Sequence, residues 1–182
     1  MKLDSSNQLR MMVYASLFSA LTAVGAFLAI PIGPVPIVLQ NMFVYLAGLL
    51  LGSRWGLASV GVYLLAGAVG LPVFSGGLGG IGRLVGPTGG YLIGYLPTVF
   101  IIGKIAQNTR PRWMTDVLAM ICGTLVLYAC GVSWLKMVSG MPLAKTLVLG
   151  MYPFLIGDAL KIGAAAAIAR ALRPVVGIPV KF

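Results

Sequence analysis

The chain has no histidine and no glutamate, and its only acids are Asp4, Asp116 and Asp158. Histidine is the commonest metal ligand and the usual proton carrier at neutral pH, so its absence argues against a metal centre and against most intramembrane acid–base chemistry. Cysteine is also scarce. Cys122 and Cys130 fall in one apolar run, and eight residues of helix separate them by about 12 Å, too far for a disulfide. They read as packing residues. No G-x-x-x-x-G-K-[ST] phosphate loop occurs, so uphill movement of a substrate would need energy from a partner or an ion gradient. Gly77 to Gly82 satisfies G-x-G-x-x-G, but it opens no βαβ unit and no acid follows at the required distance, so the match is fortuitous.

Charge as a whole is sparse. Only 9% of the 182 residues are charged and 59% are hydrophobic, against roughly 25% charged in a soluble domain. So few charges cannot cover a water-soluble surface, and the chain reads as an integral membrane protein. The net charge of +10 does not indicate nucleic acid. Its lysines and arginines sit at the ends of apolar runs, where topology signals belong, and form no basic helix.

Six apolar runs can be followed, giving an all-α bundle of six transmembrane helices in one domain spanning residues 1–182. They cover about 11–30, 38–52, 56–70, 91–105, 114–135 and 147–172. The first is too long for a signal-peptide core and ends in no small-residue cleavage site. Pro31, Pro34 and Pro36 make a rigid apolar turn after it. Ser53-Arg54-Trp55 reads as a short turn, and the second and third helices are short for a full crossing. With both termini in the cytoplasm, nine cations lie inside (Lys2, Arg10, Arg54, Lys104, Arg110, Arg112, Arg170, Arg173, Lys181). Three lie outside (Arg83, Lys136, Lys145). That bias follows the positive-inside rule. It puts the Pro turn and the Gly-rich segment from Gly70 to Tyr91 on the same outer face.

The Gly-rich segment holds nine glycines yet stays apolar, with Arg83 as its one charge. It reads as a lid folded over a small-molecule site between the third and fourth helices, with Arg83 aimed at a ligand carboxylate or else snorkelling to headgroups. Asp158 lies deep in the last run, with Lys161 one turn on. An ionisable residue at membrane depth marks a functional site by default. The two form either a mutually satisfied ion pair or a polar recognition pair facing a cavity. A proton relay lacks a second buried acid. Gln40, Asn41 and Tyr91 offer further polar contacts. Asp116 reads as an interfacial ion pair or cap close to Arg112. Trp55, Trp113 and Trp134 fall near span ends as interfacial anchors. Ala15, Ser19 and Ala23, with Ser16 and Ala20 alongside, make a small-residue stripe on the first helix. It suits packing in the bundle or docking to a partner.

The order of these features resembles the BioY family, the biotin-specific substrate-capture (S) components of energy-coupling factor (ECF) transporters. The resemblance rests on the Ile32-Gly-Pro-Val-Pro36 turn with Gln40-Asn41, on Gly70-Leu-Pro-Val-Phe74 running through Gly79-Gly-Ile-Gly-Arg-Leu-Val-Gly-Pro-Thr-Gly-Gly-Tyr91 to Tyr95, and on Asp158-x-x-Lys161. It covers essentially the whole chain.

The resemblance implies a non-enzymatic, multi-pass protein of a prokaryotic plasma membrane that binds its vitamin near the outer face. It implies a transmembrane coupling protein and two ATPase subunits as partners, with ATP used only by them and no cofactor in this chain. Docking would use Ala15, Ser19 and Ala23. Biotin's ureido ring would meet Asp158 and Lys161, its carboxylate Arg83 or else Lys161, and its bicyclic ring Val35, Val73, Phe74 and Leu84. The alternatives are an S component for another vitamin, a stand-alone proton-coupled carrier and an intramembrane enzyme. The last is disfavoured by the missing histidine, nucleophile motif and paired acids.

Overall fold

The side-chain amide of Gln40 donates to the hydroxyl of Tyr63 at 2.8 Å. In one straight helix those residues would be about 34 Å apart, so the chain doubles back between them. The turn is Gly52, at φ 74° and ψ −175°, a conformation essentially closed to residues with a Cβ. In the computed structural model, which describes residues 5–31 and 33–176, α2 (Gln40–Ala68) is therefore two antiparallel arms, 40–51 and 53–68. The expected turn at residues 53–55 is absent: those residues are already helical, because a single glycine accomplishes the reversal.

Around this hairpin stand α1 (Ser5–Phe27), α4 (Gly89–Asn108), α5 (Trp113–Ser139) and α7 (Leu155–Val176). Together with the two arms of α2 they make six crossings. Among the described residues, five stretches are long and apolar enough to span a membrane, with α2 counted once and Leu143–Val176 taken as one. Two short strands, β1 (Ala29–Ile30) and β2 (Ile37–Val38), pair antiparallel and clamp the Pro turn. The Gly-rich segment carries a short helix, α3 (Ile81–Val85).

α4 packs between α2 and α5. Gly103 lies directly on the backbone of Gly52 and Ser53, leaving no room for a Cβ. The hairpin is pinned there by Gln107, whose Oε1 accepts from the backbone N–H of Ser53 at 3.3 Å and its hydroxyl at 2.8 Å. α1 buries Met11, Ala15, Phe18, Thr22 and Ala26, a stripe at helical spacing. Ser19 is buried with them and Ala23 is half-buried. The Ala15–Ser19–Ala23 stripe is thus largely occupied by packing within the bundle, and beyond Ser5 and Ser6 in the first turn the small residues left exposed on α1 are Ser16 and Ala20.

The last run is not one helix, as its apolar length suggests. It divides into α6 (Leu143–Gly150), a 3₁₀ turn (Tyr152–Phe154) and α7. Pro153 lacks the N–H a continuous helix requires there. The break makes Leu155 the first residue of α7 and puts Asp158 in its first turn, where the positive end of the helix dipole favours a carboxylate.

At the opposite end of the bundle, Arg173 donates to both oxygens of Asp116, at 2.7 and 2.6 Å. This bidentate pair ties the start of α5 to the end of α7. Arg112, the partner expected from proximity in sequence, does not make it. Cys122 and Cys130 are both on α5 and unbridged. Lys2, Asp4, Ile32 and Lys181 lie outside the described residues.

Candidate functional site

A cavity of about 280 Å³ opens beneath the Pro turn and the Gly-rich segment. Its walls are largely apolar, with Val35, Phe74, Leu92, Leu127 and Phe154 contributing. Its floor is polar, formed by Asn41, Tyr95, Tyr128, Asp158 and Lys161, and Arg83 and Thr88 also line it. The floor therefore combines residues from the first arm of α2, from α4, from α5 and from α7.

Asp158 organises that floor. Its Oδ1 accepts from Asn41 Nδ2 at 2.8 Å and from Lys161 Nζ at 3.0 Å. Its Oδ2 accepts from the Tyr128 hydroxyl at 2.5 Å. A carboxylate offers about four acceptor positions, so three donors nearly saturate it. Asp158 and Lys161 are both buried, their side chains 6% and 9% exposed. A buried charge pair of this kind requires such additional hydrogen bonds to be tolerated.

Unused capacity lies elsewhere. Asn41 Oδ1 is buried and accepts no hydrogen bond among the described residues. An unpaired buried acceptor is costly, and Asn41 is among the residues lining the cavity. Lys161 spends one of its three donors on Asp158, leaving two. Asn41 is itself held from behind. Its Nδ2 also reaches the Tyr45 hydroxyl at 3.4 Å, and Tyr45 in turn accepts from the Thr124 hydroxyl at 2.8 Å.

Other expected site residues divide by position. Gln40 lines the cavity and donates to Tyr63. Tyr91 lines it too, but its hydroxyl donates to the carbonyl of Gly150 at 2.6 Å, so it is committed to holding the end of α6. Phe74 is buried and meets Tyr63 edge-on, with ring centroids 5.5 Å apart. Arg83, half-buried on α3, makes no salt bridge among the described residues. Val73 and Leu84 do not line the cavity. Both are half-buried and pack against the core, while Phe74 and Arg83 beside them in the chain line the cavity.

The Gly-rich segment is tied down over the cavity. Phe74 and Leu78 form a backbone bridge, and the N–H of Gly80 donates to the carbonyl of Gly67 at 2.7 Å. The indole N–H of Trp134 donates to the Gly86 carbonyl at 2.9 Å. Trp134, expected as an interfacial anchor, joins α5 to the Gly-rich segment.

The comparisons with known proteins agree with this architecture. The BioY family model matches residues 1–178. The chain belongs to the BioY family. A probable biotin transporter BioY from Pyrococcus horikoshii is 42% identical over 158 residues, 87% of this chain and 93% of that protein. The biotin transporter BioY of Thermotoga maritima is 39% identical over 165 residues, 91% of this chain and 96% of that one. A crystal structure of the S-component for biotin from an ECF-type ABC transporter superposes with a TM-score of 0.89 at 35% identity, covering 95% of both chains. Membership makes this chain a multi-pass protein of a prokaryotic plasma membrane and a transport component, not an enzyme.

Tyr95, Tyr128, Leu127 and Phe154 are cavity residues that the sequence did not mark. Tyr95 carries a legible signal, since it follows Tyr91 by one helical turn on the same face. Tyr128 carries none: it is one aromatic in an apolar helix, and only the approach of α7 to α5 gives it a carboxylate partner.

Proposed function

We propose that this BioY family member captures biotin in the cavity beneath the lid and hands it inward as the S component of an ECF-type importer. The observation that carries this reading is the pairing of an unused buried acceptor, Asn41 Oδ1, with the two spare donors of Lys161 at the foot of an apolar cavity. A cyclic urea presents N–H and C=O groups side by side and needs both. The N–H groups would meet Asn41 Oδ1 and the remaining acceptor position of Asp158, and the C=O would meet Lys161. The valerate carboxylate would run up to Arg83, a guanidinium without a carboxylate partner in the described residues. Phe74, Leu127 and Phe154 would hold the ring system. The relatives' names, and that of the structural neighbour, specify the same ligand.

Orientation follows from charge. Among the described residues the end remote from the cavity carries Arg10, Arg54, Lys104, Arg110, Arg112, Arg170 and Arg173, against Arg83, Lys136 and Lys145 at the cavity end. The positive-inside rule then makes the remote end cytoplasmic and the cavity outward-facing. With no phosphate loop of its own, the chain would rely on a transmembrane coupling protein and two ATPase subunits. It needs no cofactor. The exposed Ser16–Ala20 face of α1 is where a partner helix can approach most closely.

Titration of the detergent-purified protein with radiolabelled biotin tests the reading. Binding tighter than about 1 μM supports it, and no binding up to about 1 mM overturns it. Uptake into vesicles that requires both the ECF subunits and ATP supports the coupled mechanism. Uptake that follows a proton gradient without them points to a stand-alone carrier.

A further inference from the structure

At the end of the bundle opposite the lidded cavity, a second cavity of about 270 Å³ lies between the start of α5 and the end of α7. Its lining is Pro111, Arg112, Trp113, Asp116, Arg170 and Arg173. Three guanidiniums thus face one carboxylate, an excess of two positive charges. Asp116 carries a single negative charge and already pairs both oxygens with Arg173, so it cannot neutralise the rest. That pair is structural, yet it uses only part of the guanidinium's five N–H donors. Arg112 and Arg170 are exposed and make no salt bridge among the described residues.

The surroundings favour one class of anion. Next to the arginines, α5 exposes Trp113, Met114 and Leu118, and α7 exposes Leu172 and Val175. In a membrane these side chains face lipid, and Trp113 suits the headgroup level. The charged cavity therefore opens onto two apolar flanks. A free inorganic anion has no use for those flanks, whereas a phosphodiester carrying acyl chains fits both parts. Arginine is also the side chain best shaped to grip phosphate through paired N–H groups.

We propose that this cavity holds the phosphate of an anionic phospholipid, gripped by Arg112 and Arg170 beside the Asp116–Arg173 pair, with the acyl chains lying along α5 and α7. Basic pockets between helices on the cytoplasmic side are suited to such headgroups.

Native mass spectrometry of the whole purified chain tests this, with phosphatidylglycerol and phosphatidylcholine of identical acyl chains as probes. The wild-type protein should retain phosphatidylglycerol preferentially. Arg112→Gln with Arg170→Gln should weaken its binding roughly 30-fold, from about one kcal/mol per surface arginine and tenfold per 1.4 kcal/mol. Arg112→Lys with Arg170→Lys keeps the charge and should keep most of the preference, which guards against misfolding as the cause. These exposed side chains leave the backbone bond from Arg112 N–H to Thr115 intact. Equal retention of the two lipids by the wild-type chain overturns the proposal, as does an undiminished preference in the glutamine variant. Displacement of phosphatidylglycerol by an equal concentration of inorganic phosphate would instead assign the site to a free anion.

Discussion

The buried Asp158–Lys161 pair can be tested by removing first one charge and then both. At 3.0 Å and an effective dielectric constant of about 20, the attraction is about 5.5 kcal/mol. Asp158→Asn deletes it and leaves an ammonium buried at membrane depth. Breaking one side of a buried pair costs about 3–5 kcal/mol. The amide can still accept from Asn41 and Lys161 on one side. Its NH₂ then faces the Tyr128 hydroxyl, which is able to accept, so the loss is mainly that of charge. For a chain of this size the variant should melt roughly 6–20 °C lower in detergent. Asp158→Leu with Lys161→Met removes both charges. Apolar replacement of a whole buried pair is commonly neutral or stabilising, but the Tyr128 hydroxyl and an Asn41 N–H lose their acceptor, so the double variant should melt above the single variant and below the wild type. It should nevertheless fail to bind biotin, because the recognition groups are gone. Thermal unfolding and biotin titration on the same samples separate the two effects. A double variant with wild-type biotin affinity would refute the assigned site. A single variant with an unchanged melting temperature would refute the energetic argument.

Three further predictions address other parts of the molecule. Gly52→Ala places a Cβ at φ 74° and against Gln107, so it should destabilise the protein by about 1–3 kcal/mol; a melting temperature unchanged from wild type would show that the hairpin turn tolerates a side chain. Arg83→Ala should weaken biotin at least tenfold and biotin amide far less, since a charge-assisted contact is worth about 1.5–3 kcal/mol; equal losses for both ligands in parallel titrations would remove Arg83 from the carboxylate. Asp116→Ala leaves Arg173 without its partner and should lower the melting temperature, yet biotin affinity should hold because the pair is at the far end of the bundle; an equal loss of biotin binding would mean the two ends are coupled.

Much of the candidate site was legible before any coordinates. An acid and a lysine one turn apart in an otherwise apolar run stand out, because desolvating such groups is costly and little else justifies them. Gln40 and Asn41 stand out for the same reason, and Arg83 as the one charge in an apolar glycine-rich segment. The allocation of roles was not legible. Asp158 looks like the primary acceptor in sequence, but in the fold it is occupied by Asn41, Lys161 and Tyr128. Asn41 Oδ1 is instead the acceptor with no donor at all among the described residues. Hydrogen-bond saturation depends on which helices meet, and the partners come from positions 30 and 117 residues away.

Composition and local pattern alone determined that the chain lives in a membrane, approximately where its crossings lie and which end carries more positive charge. Those properties depend on the transfer of residues from water to lipid, which each segment undergoes independently of its neighbours. Only the tertiary structure decided that Gly52 reverses the chain, that Pro153 sets Asp158 at a helix start, that Ala15 and Ser19 are consumed by packing, and that Arg173 rather than Arg112 holds Asp116. Each of these turns on a contact between residues far apart in sequence or on a backbone state that its neighbours must stabilise, and neither is encoded in hydropathy.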